Sequence, residues 1–443
     1  MVRNPQSARF RSALASRPAL WLLILVSCAA LFALAAQSYR QSYQLDVYEY
    51  QCDAEAFWHG AEGLDALPAA QCDLTREIAG SGLSDQPFHS LPTEYGPLAL
   101  AVFSVPLLAP PHWYPWLFTL LMVLAVLGTA LLLARYGAVG APYAYLLYVL
   151  VGNAVITGLR FDAAPALLTV LALVWARRQR EVPAYVALAL ATLMKIYPLV
   201  LVVPFAIAGL QAPQRRTRTV AGLTLFLVIT ATGMLLPGVL GLTRTASPLA
   251  FLMQRGIEFE SLPASLLWLA HTVGGVPLSV GYEANVRVVN ASIGPLASAL
   301  GMAIALAVFT VAGWCQWTRR ISIGQSCVLV LLALLAGSKV FSPQYLLWVA
   351  PFVAYEFGTT KPWLVAWTGV CALTALAFPL AYDGAFAGWH VPDWQAVMVA
   401  SALRNILLVA CCAAALYHAV RRPHRLASDG AQSTIHTHAG AAR

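Results

Sequence analysis

Long apolar runs separated by short polar segments make up most of this 443-residue chain. The first run follows Arg17 and extends for about twenty residues, the length that a helix needs to cross a bilayer. The pattern predicts about twelve transmembrane helices. Two of them are divided only by Lys195-Ile196-Tyr197-Pro198, which we interpret as a hairpin with Lys195 near the outer surface. The eleven runs after the first lie near residues 114–134, 142–157, 163–176, 182–195, 197–212, 219–237, 291–317, 323–337, 343–357, 362–382 and 395–420.

Two polar segments interrupt this pattern. Residues 39–97 contain ten of the nineteen Asp and Glu residues of the chain. Such a density of charge cannot lie in hydrocarbon, so we expect the segment in water or at the membrane surface. It is followed by Leu98–Pro110, an apolar run that is too short to span comfortably. The second segment, residues 238–290, contains a short apolar stretch at Pro263–His271 that predicts a dipping helix.

Composition supports the membrane assignment. The chain is 60% hydrophobic and 10% charged, whereas a soluble globular protein has about 25% charged residues. The formal charge of +8 does not indicate nucleic acid, because the basic residues form short clusters between apolar runs, as topology signals do. We predict an all-α polytopic membrane protein with one domain at residues 19–420. A cytoplasmic tail (1–18) precedes it, and a disordered cytoplasmic tail (421–443) follows it.

The distribution of charge sets the expected orientation. With Leu98–Pro110 along the outer surface, eighteen basic and three acidic residues face the cytoplasm, and eight basic and sixteen acidic residues face outside. If that run spans instead, the basic clusters after it face out, against the positive-inside rule. Both termini are therefore expected inside, with residues 39–97 and 238–290 outside. Signal-peptide cleavage after Ala33-Leu34-Ala35 is the alternative to an anchored first helix.

The eight cysteines show no metal-type spacing. Six lie in apolar runs, where cysteine packs as a small hydrophobic residue. Cys52 and Cys72 instead share the acidic segment. Because thiols oxidise outside the cytoplasm, we predict a disulfide between them.

Charged residues gather at the predicted outer ends of the spans. Cations beside carboxylates at the lipid–water boundary suit an anionic lipid substrate and an acceptor hydroxyl, because Arg and Lys bind phosphate and a carboxylate takes the hydroxyl proton. Simpler interpretations exist: Asp46 is a solvated loop acid, the lysines snorkel, Arg160 pairs with Asp162, and Glu260 caps a helix. The residues concerned are Asp46, Glu49, Glu94, Arg160, Asp162, Lys195, Arg255, Glu258, Glu260 and Lys339.

Other chemistries find no motif in the sequence. It has no Walker A loop, no dinucleotide Gly-rich fingerprint and no Gly-x-Ser-x-Gly elbow. The nine histidines are scattered and form no metal-ligand cluster. We therefore predict no cofactor and no metal.

Six short motifs follow one another between residues 46 and 348: Asp46-x-Tyr48-x-Tyr50, Tyr95-x-Pro97-Leu98, Arg160-Phe161-Asp162 with Pro165, Lys195-Ile196-Tyr197-Pro198, Glu260-Ser261-Leu262-Pro263-Ala264 and Phe341-Ser342-Pro343-Gln344-Tyr345. In this order they resemble the GT-C membrane glycosyltransferases, and more narrowly family 87, the polyprenyl-phosphate-mannose-dependent type. Each motif is weak alone, and their order makes the resemblance moderately specific. Gly96 departs from the pattern, because the family usually has a second proline there.

The resemblance implies a GT-C-like fold in a bacterial inner membrane, with the active site on the extracytoplasmic face. A sugar, mannose or another hexose or pentose, would pass from a polyprenyl-phosphate donor to a hydroxyl of a lipid or cell-envelope glycan. The reaction would be a single inverting displacement with Asp46 as general base. Expected partners are the donor, the acceptor and membrane lipids, without nucleic acid. The expected binding residues are Lys195, Lys339, Arg160, Arg255, Tyr48, Glu94, Tyr95, Asp162, Glu260, Gln344 and Tyr345.

Two other functions are compatible with the sequence. A transporter or flippase for polyprenyl-linked saccharides also needs a basic outer cavity, but it should keep polar residues through the middle of the bilayer, where only Arg404-Asn405 stand out. A non-catalytic scaffold that binds a lipid-linked glycan would keep the cations and would not need Asp46.

Overall fold

In the computed structural model, the described residues are 18–39, 46–79, 83–92, 94–240, 252–283, 286–381 and 394–423. Of the tails predicted at 1–18 and 421–443, residues 1–17 and 424–443 lie outside them. Helices make up most of the described residues. They are α1 (Pro18–Tyr39), α2 (Asp46–His59), α3 (Ala69–Ala79), α4 (Ala99–Ser104), α5 (Tyr114–Tyr136), α6 (Ala141–Gly152), α7 (Ala154–Thr157), α8 (Ala163–Arg177), α9 (Glu181–Met194), α10 (Val202–Leu210), α11 (Arg216–Val239), α12 (Leu262–Gly274), α13 (Gly294–Trp317), α14 (Ile323–Gly337), α15 (Leu346–Phe357), α16 (Lys361–Ala375) and α17 (Trp394–Arg421). The strands are β1 (Ile257–Glu258), β2 (Leu278–Glu283) and β3 (Val286–Ala291).

The chain is a multi-pass membrane protein. Within the described ranges, six helical segments are long and apolar enough to cross a membrane: Pro18–Tyr39, Pro111–Tyr136, Pro213–Pro237, Gly294–Trp317, Lys361–Phe378 and Gln395–Arg421. Each of them coincides with a run predicted from the sequence. Proline in the first turn of α5, α13 and α16 suits a helix start, where its missing N–H leaves no hydrogen bond unmade.

The other predicted spans are helical but short. Helices α6, α8, α9, α14 and α15 have between 12 and 15 residues. At 1.5 Å per residue they are about 18–22 Å long, less than the roughly 30 Å of bilayer hydrocarbon. Several of them end inside the protein. Such ends place polar loop residues in the interior, and the candidate site lies there.

The long helices carry apolar side chains on the surfaces that face away from the rest of the protein. On α13, Leu296, Leu300 and Ile304 lie one turn apart and are 70%, 53% and 53% exposed. Contiguous apolar surface of this kind is unfavourable in water and favourable against lipid tails. The opposite side of α13 approaches α14 closely, because a Cβ at Gly301 would lie 2.9 Å from the carbonyl oxygen of Gly337. Helix α14 is almost wholly buried.

The acidic segment folds into helices α2 and α3 with a small core of its own. Cys52 on α2 and Cys72 on α3 form a disulfide with a Cα–Cα distance of 5.6 Å. Both are buried against Ala56, Leu64 and Leu67. The bond fastens α2, whose first turn carries Asp46 and Glu49, to the rest of the segment. The apolar run after it forms α4 and a 3₁₀ turn, a helical segment of ten residues at Ala99–Leu108.

The second polar segment contains a small antiparallel sheet with the strand order β1-β3-β2, which the sequence analysis did not predict. Val289 of β3 is paired with both Ile257 and Val280. The sheet packs through a second hydrophobic cluster onto α12 and onto Val397 and Met398 of α17. Helix α12 contains the stretch for which a dipping helix was predicted. It begins after Ser261, whose hydroxyl accepts a hydrogen bond from the N–H of Ala264 at 3.2 Å.

Candidate functional site

A cavity of about 270 Å³ lies where several helix ends meet. The first turn of α2, the loop before α4, the break between α7 and α8, the break after α9 and the segment after α14 all contribute to it. Its polar residues include three carboxylates and three cations, and its remaining wall is largely apolar. It is lined by Asp46, Glu49, Glu94, Tyr95, Arg160, Lys195, Ile196, Tyr197, Leu199, Val200, Leu252, Arg255, Val286, Leu334, Leu335, Ser338, Val340, Ser342, Gln344, Tyr345 and Trp348.

Asp46 and Arg160 form the first ion pair of the cavity. Asp46 is the first residue of α2, where the helix dipole favours a negative charge. Its Oδ2 lies 2.5 Å from Nε of Arg160, and both side chains are about one quarter exposed, at 22% and 25%. Burial raises the pKa of Asp46 above its ordinary value, and the charge of Arg160 acts in the opposite direction. Asp46 therefore combines an ionised partner with access to the cavity.

Lys195 is held at the cavity by Asp162 and by aromatic rings. Its Nζ donates to Oδ1 of Asp162 at 2.7 Å, and the same oxygen accepts a hydrogen bond from Nε1 of Trp348 at 2.7 Å. Asp162 is fully buried, so this pairing keeps its charge compensated. Four rings surround the ammonium group at 5.0–5.6 Å, which suits cation–π attraction. They belong to Tyr95, Phe161, Tyr345 and Trp348.

Arg255 supplies the third cation, in a pair with Glu258. Their closest atoms are 2.8 Å apart. Oε2 of Glu258 also accepts the backbone N–H of Phe341 at 2.8 Å, which joins the second polar segment to the segment after α14. Burial raises the pKa of Glu258 to about 7, although the charge of Arg255 acts in the opposite direction. Glu258 does not line the cavity, so its role toward Arg255 is positioning.

Two further carboxylates face the cavity beside Asp46. Glu49 lies one turn along α2 and is 8% exposed, and Glu94 precedes Tyr95 in the loop before α4. Burial raises the pKa of Glu49 well above its ordinary value, and the largest electrostatic contribution comes from Glu94. Glu94 was predicted from the sequence as a binding residue, whereas Glu49 was not. Its position three residues after Asp46 on a helix was the available signal.

Not all of the residues proposed from the sequence meet at the cavity. Those that line it are Asp46, Arg160, Lys195, Arg255, Glu94, Tyr95, Gln344 and Tyr345. Tyr48 packs against Tyr39 with ring centroids 6.2 Å apart, and Nζ of Lys339 donates to the carbonyl of Met253 at 2.8 Å. Glu260 binds Arg404 at 3.0 Å. These three, with Asp162, are outside the cavity lining.

Trp348 is the main site residue that the sequence reasoning missed. Its ring stacks on Tyr345 and Tyr197, with centroid distances of 3.9 and 4.3 Å, and its N–H fixes Asp162. Tryptophans next to apolar runs are usually interface anchors, so the sequence did not indicate a role for Trp348 at the site. The Phe341–Tyr345 motif three residues before it was the available signal.

Gly96, the departure from the family pattern, has a structural explanation. Its N–H donates to the carbonyl of Met194 at 3.3 Å, and the N–H of Leu98 donates to that of Leu193 at 3.0 Å. A Cβ at Gly96 would lie 2.1 Å from the carbonyl oxygen of Leu193. A proline at this position would meet the same carbonyl and could not donate. The glycine therefore allows the loop that carries Glu94 and Tyr95 to contact the end of α9.

The described part of the chain contains no group of three or more His, Cys, Asp or Glu side chains placed to hold a metal ion. Comparison with protein-family models, with curated proteins and with solved structures finds no match. The chemistry of the site is therefore inferred from its geometry. Three cations can bind an anionic group such as a phosphate, and three carboxylates can accept hydrogen bonds from hydroxyl groups.

Proposed function

We propose that this protein is an integral-membrane glycosyltransferase that moves a sugar from a polyprenyl-phosphate donor to a hydroxyl group of a lipid or cell-envelope glycan. The observation that supports this best is the composition of the cavity. One carboxylate with an ionised partner, Asp46, shares it with Arg160, Lys195 and Arg255 and with an apolar wall. A phosphate, a hydroxylated ring and a hydrocarbon chain each find suitable contacts there.

In the proposed reaction, Asp46 takes the proton of the acceptor hydroxyl. At the same time, the oxygen of that hydroxyl attacks the anomeric carbon of the donor sugar. The bond between that carbon and the phosphate oxygen breaks at the same time, so the configuration inverts. The leaving group is the polyprenyl phosphate, which carries the bonding electrons away. The pKa of Asp46 is raised toward neutral pH. A general base is most effective when its pKa is near the pH at which the enzyme works.

The cations stabilise the leaving phosphate. Lys195 and Arg255 line the cavity with their partner carboxylates behind them, so their positive charge is directed at a ligand. Preorganised charge of this kind acts where negative charge develops in the transition state. Leu199, Val200 and Leu334 belong to the apolar wall, which suits the isoprenoid chain next to the phosphate.

The proposed topology has twelve membrane segments, both termini in the cytoplasm and the cavity on the outer side. It rests on the charge distribution and on the length of Ala99–Leu108, about half of what a span needs. Reporter fusions after Arg135 and Arg218 should read cytoplasmic. An extracytoplasmic signal at either position would reverse the orientation and place the cavity on the inner side.

The decisive experiment measures release of polyprenyl phosphate from polyprenyl-phosphate mannose by the purified protein in nanodiscs, with alkyl glycosides as acceptors. Asp46→Asn should lower the rate by about 10²–10⁴-fold, the usual contribution of a general base. Asp53→Asn and Glu55→Gln lie on the same helix and serve as matched controls that should retain turnover.

Retained turnover in Asp46→Asn, with loss in Asp53→Asn, would assign the base to another carboxylate. A wild-type protein that binds the donor and never cleaves it would contradict glycosyl transfer. Movement of intact donor across the bilayer would then favour a transporter or flippase.

A further inference from the structure

We infer that Glu49 and Glu94 form a binding site for the hydroxyl groups of a sugar ring, next to the cationic part of the same cavity. This inference rests on the proposed function in taking a sugar as the ligand. It adds a specificity site that the reaction itself does not require, since Asp46 alone can take the proton.

Glu49 lines the cavity, and only 8% of it is exposed. Among the described residues, no cation lies within ion-pair distance of it. Its neighbours include other acids: Glu94, Asp53 and Asp46 raise its pKa beyond the effect of burial, whereas the charge of Arg160 lowers it. A buried polar group without a partner is costly, and a hydroxyl donor would satisfy it.

The charges of the cavity are divided between two functions. Arg160, Lys195 and Arg255 are each paired with one carboxylate and attract an anion. Glu49 and Glu94 form no ion pair among the described residues, so their side-chain oxygens remain able to accept hydrogen bonds from a ligand. A ligand with a phosphate at one end and neutral hydroxyl groups at the other would therefore bind in one direction, with its hydroxyl groups toward this pair. Carboxylate oxygens accept such bonds strongly.

Both residues are held in place by structure that the ligand does not supply. Glu49 lies in the first turn of α2, which the Cys52–Cys72 disulfide fastens to α3. Glu94 directly precedes Tyr95 and Gly96, and the N–H of Gly96 binds the carbonyl of Met194 at the end of α9. The pair is thus presented by two fixed elements, as a specificity site requires.

The test compares two soluble probes with the same short chain, hexyl mannoside and hexyl phosphate. Saturation-transfer NMR measures the dissociation constant of each for the full chain in nanodiscs. Glu49→Gln should weaken the mannoside about tenfold, because the amide replaces one acceptor oxygen with a donor. Glu49→Leu, which keeps the size and removes all hydrogen bonding, should weaken it more, and Glu94→Gln should behave like Glu49→Gln.

Binding of hexyl phosphate should stay unchanged or tighten in these variants, because they keep all three cations of the cavity. Glu55→Gln is the matched control, since Glu55 is on the same helix, binds His59 and does not line the cavity. Parallel weakening of both probes, or unchanged mannoside binding, would overturn the inference, as would a wild-type chain that does not bind the mannoside. Selective loss of mannoside binding in a protein that never cleaves the donor would keep this site and reject the proposed transferase.

Discussion

Lys195 and Arg404 have similar immediate surroundings and opposite relations to the cavity. Lys195 pairs with the buried Asp162 at 2.7 Å and is surrounded by aromatic rings. Arg404 pairs with Glu260 at 3.0 Å, and its guanidinium lies 3.7 Å from the Phe341 ring centroid. Lys195 lines the cavity, whereas Arg404 is fully buried and outside its lining.

This comparison separates two uses of a buried ion pair. The second pair is closed: Arg404 also donates to the carbonyl of Glu260, and Nδ2 of Asn405 donates to the same carbonyl at 3.1 Å and to Oγ of Ser265 at 2.9 Å. It joins α17 to α12. Lys195 instead lines the cavity, and its side chain is 13% exposed. The presence of a pair therefore does not identify a site, but access to a shared cavity does.

The largest expected effect comes from removing both charges of the Lys195–Asp162 pair. The same double change in the Arg404–Glu260 pair is the control. Lys195→Met with Asp162→Asn keeps an acceptor for Trp348 and should lower turnover by about 10²–10³-fold, as when one charge-stabilising group is lost. Arg404→Met with Glu260→Gln should keep most of the turnover. Donor cleavage and thermal unfolding measured on both variants test this. Equal loss of activity in the two would remove the distinction between them.

The next effect concerns stability. Arg404→Met alone leaves the Glu260 carboxylate buried without its cation, which typically costs about 3–5 kcal/mol. Addition of Glu260→Gln should restore most of that loss, because the double variant leaves no stranded charge. Chemical unfolding of the two variants in the same detergent gives the difference. If the single variant is as stable as the wild type, the pair is not a structural connection.

A smaller effect is expected at Gly96. A Cβ there would meet the Leu193 carbonyl, so Gly96→Ala should cost about 1–3 kcal/mol as an overpacked contact. It should also displace Glu94 and Tyr95 and weaken sugar binding. Gly274→Ala is the control, because among the described residues no atom beyond its own helix turn lies within 4 Å of the added Cβ. Similar unfolding midpoints for the two substitutions would mean that the loop adapts without loss.

The smallest expected effect is a pH dependence of stability that arises from Glu258, the partner of Arg255. Its pKa is about 7 in the folded chain, above the ordinary value of 4.5. Between these values the folded state holds a proton that the unfolded state has lost, so stability from this group is greatest below about pH 4.5 and is lost as pH rises through 7. Unfolding midpoints from pH 5 to 8 should fall more steeply for the wild type than for Glu258→Gln. Parallel curves would show that Glu258 does not titrate in this range.

The positions of the helices could be predicted because apolar length is a local property of the chain. Each of the six long segments coincides with a predicted run, and proline is found in the first turn of several of them. The breaks were less predictable. Asn153 interrupts the predicted run 142–157 and donates from Nδ2 to the carbonyl of Pro343 at 2.9 Å, a partner 190 residues away.

The ion pairs of the site were also not predictable from the sequence. Arg160 and Asp162 are two residues apart, and from the sequence they could pair with each other. In the structure, Arg160 binds Asp46 and Asp162 binds Lys195. The small sheet of the second polar segment was also missed, because its strands are short and β1 pairs with a strand that lies far from it in the chain.

By itself, the sequence determined that this is a helical membrane protein with its acidic residues concentrated in one polar segment, because hydrocarbon excludes charge whatever the fold. It also brought Asp46, Arg160, Lys195 and Arg255 forward as candidates from their positions beside apolar runs. Only the tertiary structure decided that these four line one cavity with Glu49, while Lys339 and Glu260 do not. The physical reason is that each side chain emerges from a helix end or a loop, and its direction there is set by the packing of helices that are far apart in the chain.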